Sequence, residues 1–174
     1  MKKKENRFKL QYSLSKLIYR IIWEYFGIIL FKLTPNRLFV VKNIILRIYG
    51  AKIGDNVRVY SSVHIHFPKN LSIGHHTVIG SKVEIKNHNN IKIGNYCTIS
   101  QKSSIVDSSH DFNNKDFPLV SKSIEIKDNV WIAQECFLGP GVKIQSNVVL
   151  GSRAVCFKSL EEGVYVGNPL KKIK

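Results

Sequence analysis

Ile126-Lys127-Asp128-Asn129-Val130-Trp131, Ile132-Ala133-Gln134-Glu135-Cys136-Phe137, Leu138-Gly139-Pro140-Gly141-Val142-Lys143, Ile144-Gln145-Ser146-Asn147-Val148-Val149 and Leu150-Gly151-Ser152-Arg153-Ala154-Val155 follow one another without a break. An aliphatic residue opens each six, and a small residue stands four places later. A period of six fits neither a helix nor a long strand. It fits a parallel β-helix solenoid, in which each hexapeptide supplies one short strand and one corner. The opening residue and the fifth residue point inward and stack on their counterparts one coil away. A single coil cannot bury that face alone, so neighbouring coils stabilise one another.

Upstream, the same template opens at Ile53, Val59 and Ile65, at Ile73, Ile79 and Ile85, and at Ile93, Ile99 and Ile105. With the five later openings this makes fourteen positions, all Ile, Val or Leu. Chance agreement of that kind is on the order of one in ten million. The fifth places are Val57, Val63, Thr77, Val83, Cys97, Ser103, Val130, Cys136, Val142, Val148 and Ala154, all small enough for a narrow interior. Gly54, Gly74, Gly80, Gly94, Gly139 and Gly151 follow their aliphatic residues, where tight corners are expected to demand unusual backbone angles.

The coils differ in length. Ile53, Ile73 and Ile93 are twenty residues apart, so two residues bulge from each early coil, whereas Ile93 to Ile126 spans thirty-three. The surplus forms a loop at 106–122 containing Asp107-Ser108-Ser109-His110-Asp111-Phe112. A long excursion from a rigid solenoid is where function is expected, because the coils hold it in place.

The chain of 174 residues carries a formal net charge of +15. Residues 1–50 hold eleven Lys/Arg against two acids, and residues 51–174 hold sixteen against ten. This balance points to an anionic partner: a membrane surface or a phosphorylated cofactor. No nucleic-acid module accompanies the charge, and no nucleic-acid partner is expected. Cys97, Cys136 and Cys156 sit at core positions and read as small apolar fillers in a reducing cytoplasm.

Residues 1–50 read as a helical cap and basic segment, and residues 51–174 as the β-helix domain. Leu10, Leu14, Leu17, Ile18, Ile21, Ile22 and Tyr25 recur at helical spacing. Thr34-Pro35-Asn36 interrupts them, and Leu38, Val41, Ile44, Ile45 and Ile48 predict a second helix ending before Gly50. The longest uncharged run is too short for a membrane span, and no cleavage site follows a long apolar core, so neither a transmembrane helix nor a signal peptide is expected. The segment is expected to close the open end of the solenoid, and its basic amphipathic surface to rest on anionic lipid. A cytoplasmic protein with a peripheral contact on the inner face of the membrane follows.

Thr34-Pro35, Arg47-Ile48-Tyr49-Gly50-Ala51-Lys52-Ile53-Gly54, His110-Asp111, Phe117-Pro118-Leu119, Asn129-Val130-Trp131-Ile132 and Gly167-Asn168-Pro169, set among the hexapeptides, resemble the colanic-acid-type sugar O-acetyltransferases. These belong to the hexapeptide-repeat acyltransferases, with the maltose and galactoside acetyltransferases. The resemblance implies an all-β fold built as a left-handed parallel β-helix with an N-terminal helical segment, a homotrimer, acetyl-CoA as donor, and a sugar or oligosaccharide acceptor in surface polysaccharide or its precursor. Amino-sugar N-acetyltransfer, serine acetylation and a non-catalytic scaffold are the alternatives.

Moving an acetyl group onto a hydroxyl needs a base that works near neutrality, and histidine suits this. His110 is the candidate, by its loop and by resemblance. Its imidazole needs an orienting acceptor, for which Asp107, Asp111 and a backbone carbonyl are all open. Asn87, one coil below Asp107, is a candidate to hold the sugar, against a plain role in the Asn87-His88-Asn89-Asn90 turn. Trp131 occupies an outward place; by resemblance it lines the pantetheine channel with Ala133 and Gln134, and Gly151 and Ser152 follow one coil later. Lys158, Lys171 and Lys174 are placed to meet CoA phosphates, against a simple solvated tail. His64 and His66 flank inward Ile65 and are expected to diverge, and no metal is expected. His75, His76 and His88 read as turn residues.

Overall fold

The computed structural model describes residues 13–174, so Leu10 and the lysines at positions 2–4 lie outside the described residues. From Lys52 onward the chain winds as a three-faced coil of short parallel strands. The first face stacks Lys52–Ile53, Leu71–Ile73, Ile91–Ile93, Ile124–Ile126 and Lys143–Ile144. The second stacks Arg58–Val59, Val78–Ile79, Thr98–Ile99, Trp131–Ile132, Val148–Leu150 and Gly163–Val166, closed by antiparallel Lys171–Lys172. The third stacks His64–Ile65, Glu84–Lys86, Ser104–Val106, Phe137–Leu138 and Val155–Cys156.

The register is the one the sixfold period dictates. Ile53, Ile73, Ile93, Ile126 and Ile144 form one ladder. Val59, Ile79, Ile99, Ile132 and Leu150 form the second, and Ile65, Ile85, Ile105, Leu138 and Cys156 the third. All fourteen opening residues and all eleven fifth-place residues are buried. Each fully buried aliphatic side chain contributes roughly 1.5–3 kcal/mol, which is why so narrow a column holds. The two fifth-place hydroxyls are satisfied across coils. Thr77 donates to the Gly94 carbonyl at 2.8 Å, and Ser103 to that of Ala133 at 2.8 Å. Burial raises the pKa of all three cysteine thiols, in keeping with filler roles.

The glycine expectation needs correction. Gly54, Gly74, Gly80, Gly94, Gly139 and Gly151 are not the residues with positive φ. The left-handed turn falls two places later, at the fourth position of the repeat. It is held by Asn56, His76, Lys82, Tyr96, Lys102, Asn129, Glu135, Asn147 and Arg153, with φ between 53° and 61°. The second-place glycines serve close approach instead. A Cβ on Gly74 would lie 2.6 Å from the Gly94 carbonyl carbon, and one on Gly54 2.8 Å from the His75 nitrogen.

Among the described residues three helical pieces precede the coils: α1 (Leu14–Ile22), continued through a π turn (Trp23–Gly27) into α2 (Ile28–Leu33), then α3 (Phe39–Ile48). Trp23 is the plug. Its indole N–H donates to the Ile65 carbonyl at 2.7 Å, and the ring meets Tyr49 edge-on at 4.9 Å. The periodicity of α3 misleads about its inner face. Leu38, Val41, Ile44 and Ile48 are exposed, while Lys42, Asn43 and Leu46 are buried. Tertiary hydrogen bonds explain this. Asn43 donates to the Val57 carbonyl at 2.9 Å, and the Lys42 ammonium reaches Asn36 Oδ1 at 3.0 Å and Ser61 Oγ at 3.1 Å.

Candidate active site

The excursion between the third and first faces is a β-arm rather than a loose loop. Ser108–His110 pairs antiparallel with Leu119–Ser121, which places His110 opposite Leu119. Asp111 N–H donates to the Pro118 carbonyl at 3.0 Å, and Asp111 Oδ1 accepts from Asn113 N–H at 3.0 Å, closing the tip. His110 Nδ1 lies 2.5 Å from the Phe117 carbonyl oxygen. That partner fixes the tautomer of the neutral ring: Nδ1 carries the hydrogen, which leaves the lone pair on Nε2. Phe117 itself has φ 45°, an uncommon conformation for an aromatic residue, and it turns that carbonyl toward the imidazole. Of the three acceptors left open by sequence, the backbone carbonyl is the one in contact.

Asp107 works at the foot of the arm. It is fully buried, its Oδ1 accepts from His88 N–H at 3.1 Å, and its Oδ2 accepts from Asn89 N–H. Lys122 N–H donates to the Asp107 carbonyl at 2.8 Å, which ties the returning strand to the same residue. Asn87 is buried too. Its Oδ1 accepts from Phe67 N–H at 2.9 Å, and its amide donates to the Phe67 carbonyl at 2.7 Å. This pair of bonds clasps two successive corners.

The donor-side candidates stand elsewhere. Trp131 is 51% exposed on the second face, paired with Thr98 and Val149, and its N–H donates to Ser100 Oγ at 3.1 Å. Ala133 is buried beside it, and Gln134 Oε1 accepts from Gln101 at 2.8 Å at the corner toward the third face. Ser152 is exposed one coil on. Gly151 faces Val166, whose Cγ1 would lie 2.8 Å from an added Cβ, so its bareness admits the next strand rather than an open channel. Lys158, Lys171 and Lys174 are exposed. Trp131, Gln134 and Ser152 thus lie on the second face and the turn from it to the third, whereas the His110 arm and Lys158 lie on the turn from the third face to the first.

No family model matches the chain. Over 146 residues the sequence is 35% identical to the protein assigned as colanic acid biosynthesis acetyltransferase WcaF of Escherichia coli K12, covering 83% of this chain and 80% of that protein. The chain belongs to this family of acetyltransferases. Its fold matches a maltose O-acetyltransferase from Clostridium difficile 630 with a TM-score of 0.85 at 23% identity, over 93% of this chain and 88% of that one. A hexapeptide-repeat acetyltransferase from Vibrio cholerae, solved with acetyl coenzyme A, matches with a TM-score of 0.81 at 22% identity, over 93% and 89%. The solenoid of the acetyltransferase is accordingly the left-handed β-helix.

Beneath the arm of the acetyltransferase lies a group of imidazoles. His64 and His66 do not diverge. Positions two apart on a strand share a face, and their rings sit 5.8 Å apart. His66 also meets His88 edge-on at 5.2 Å. Desolvation first, then the Arg20, His88 and His64 charges, push the His66 pKa down to about 4, against the pull of Glu24. His88 is engaged with Ser108 Oγ at 3.0 Å and Asp107 at 3.6 Å. Among the described residues no three His, Cys, Asp or Glu side chains converge as a metal site. Sequence reasoning left a backbone carbonyl open without naming Phe117, because a backbone acceptor leaves no side-chain signature. It also missed the His66–His88 contact, because the twenty-residue coil sets Lys86, and not His88, level with His66.

Proposed function

We propose that this acetyltransferase moves the acetyl group of acetyl-CoA onto a hydroxyl of a sugar in surface polysaccharide or its precursor, with His110 as general base. The observation that carries this reading is the His110–Phe117 contact, which leaves Nε2 as a free acceptor on an exposed, braced arm. The acceptor O–H gives its proton to Nε2 as its oxygen attacks the thioester carbonyl carbon. The tetrahedral adduct collapses with loss of the C–S bond, and the imidazolium returns the proton to the departing thiolate. A positioned base contributes about 10²–10⁴ in rate. Asp107 acts as a positioning residue, since it anchors the foot of the arm and touches no reacting atom.

Acetyl-CoA supplies the thioester. The residues present fit it in part: Trp131, Gln134 and Ser152 offer an aromatic and polar strip along the coils, and Lys158, Lys171 and Lys174 offer exposed cations for its phosphates. Because this strip and His110 stand on different corners, the reading includes a homotrimer in which one copy presents its arm to the donor strip of the next. The name of the Escherichia coli relative supports a polysaccharide acceptor, and the ligand in the Vibrio cholerae structure supports the donor.

The test is thiol release from acetyl-CoA against a panel of sugars, amino sugars, oligosaccharides and serine, with the product treated with hydroxylamine. The reading expects an ester that hydroxylamine cleaves, formed on a sugar. An amide product, or serine as the preferred acceptor, overturns it.

A further inference from the structure

The helical column over the end of the solenoid has two apolar sides, and only one is used. Trp23, Gly27, Ile28 and Phe31 face inward and are buried. The opposite side carries Leu14, Ile18, Ile21, Tyr25, Ile29 and Leu33 at three- and four-residue spacing, all exposed, with Leu14 at 73% and Leu33 at 76%. On α3, Val40 and Ile48 are 70% and 74% exposed. A helix that buries one stripe ordinarily turns charge outward. Here the charged pair Arg20–Glu24 lies part-buried at 2.7 Å, and the outer side is left apolar. A continuous exposed patch of this kind marks an interaction surface.

Charge selects the partner. Glu24 is the one acid in residues 13–50, and Arg20 neutralises it. Lys16, Lys32 and Arg37 are exposed on the same segment, so its free charge is positive. A second copy of this surface would bring like charges face to face. An anionic bilayer offers the reverse: apolar depth beneath negative head groups. No helix among the described residues is long and apolar enough to cross a membrane, which leaves the column in the plane of the surface. We propose that the outer side of the column from Leu14 to Leu33 seats in the headgroup boundary of an anionic membrane, with Lys16, Lys32 and Arg37 contacting lipid phosphates.

The test is flotation of the full chain with vesicles of mixed phosphatidylglycerol and phosphatidylcholine, and with vesicles of phosphatidylcholine alone, at low and high salt. The chain is expected to float with the anionic vesicles at low salt and to lose most of that binding at high salt. Joint substitution Ile21→Ser, Tyr25→Ser, Ile29→Ser and Leu33→Ser should lower partitioning at least about tenfold. The set Lys16→Glu, Lys32→Glu and Arg37→Glu leaves the apolar side whole, and should abolish the preference for anionic lipid. Subunit mass by sedimentation should be the same for both sets and the parent. Absence of binding, binding indifferent to lipid charge and salt, or binding kept by the serine set overturns the proposal. A drop in subunit mass in the serine set would assign the surface to a second copy, and overturns it as well.

Discussion

At the scale of the residue, the hexapeptide has two special places with opposite demands. At Gly54, Gly74, Gly80 and Gly94 the second place needs a missing side chain, because the backbone of the next coil passes there. The fourth place needs a left-handed turn, and glycine would meet that need without strain. Gly74→Ala should therefore destabilise by about 1–3 kcal/mol or more, because the Gly94 and Asn95 backbone stands in the way together with the Asn95 side chain. Lys82→Gly, at an exposed fourth place with φ 58°, should leave stability unchanged or raise it by up to about 1 kcal/mol. Denaturant midpoints of the two variants separate these outcomes, and equal losses would contradict this division of labour. The sequence shows the glycines plainly and hides the turn, because Asn, His, Lys, Tyr, Glu and Arg all fill the fourth place.

At the scale of the element, the coils were readable and the helices only half so. A sixfold repeat of aliphatic residues has one packing solution, so the inward ladders follow from spacing alone. In α3 the apolar stripe is readable, yet the buried side is Lys42, Asn43 and Leu46, chosen by hydrogen bonds to Asn36, Val57 and Ser61 that no local pattern encodes. The arm was legible as an excursion with a histidine; its antiparallel pairing and the Phe117 carbonyl were not. Where cap, coil and arm meet, His66 makes a pH-dependent contribution. Its folded pKa of about 4 lies below the unfolded value of about 6.5, so the unfolded chain binds the proton more readily. Stability from this group is intact above the unfolded value and is lost as pH falls through that window; His64, also lowered, adds in the same direction. Buried His66 Nδ1 has no hydrogen-bond partner among the described residues, which is consistent with a neutral ring. His66→Gln should flatten the fall in urea midpoint between about pH 7 and about pH 5. An unchanged slope would place the acid sensitivity elsewhere.

At the scale of the whole molecule, the proposed base His110 and the proposed donor strip of Trp131, Gln134 and Ser152 lie on different corners, and the proposed trimer joins them. His110→Ala and Trp131→Ala should each be impaired, the first in turnover and the second chiefly in KM for acetyl-CoA. Refolding the two variants together should restore part of the activity, since some interfaces then receive both intact residues. A mixture no better than its components would confine each site to a single chain. The central claim is narrower: the arm exists to present His110 Nε2 to an acceptor hydroxyl. Acetyl transfer by His110→Ala, measured at saturating acetyl-CoA and sugar with thermal unfolding recorded alongside, tests it most directly. The account predicts a rate reduced by about 10²–10⁴ with unfolding unchanged, whereas a rate within about threefold of the parent would contradict it.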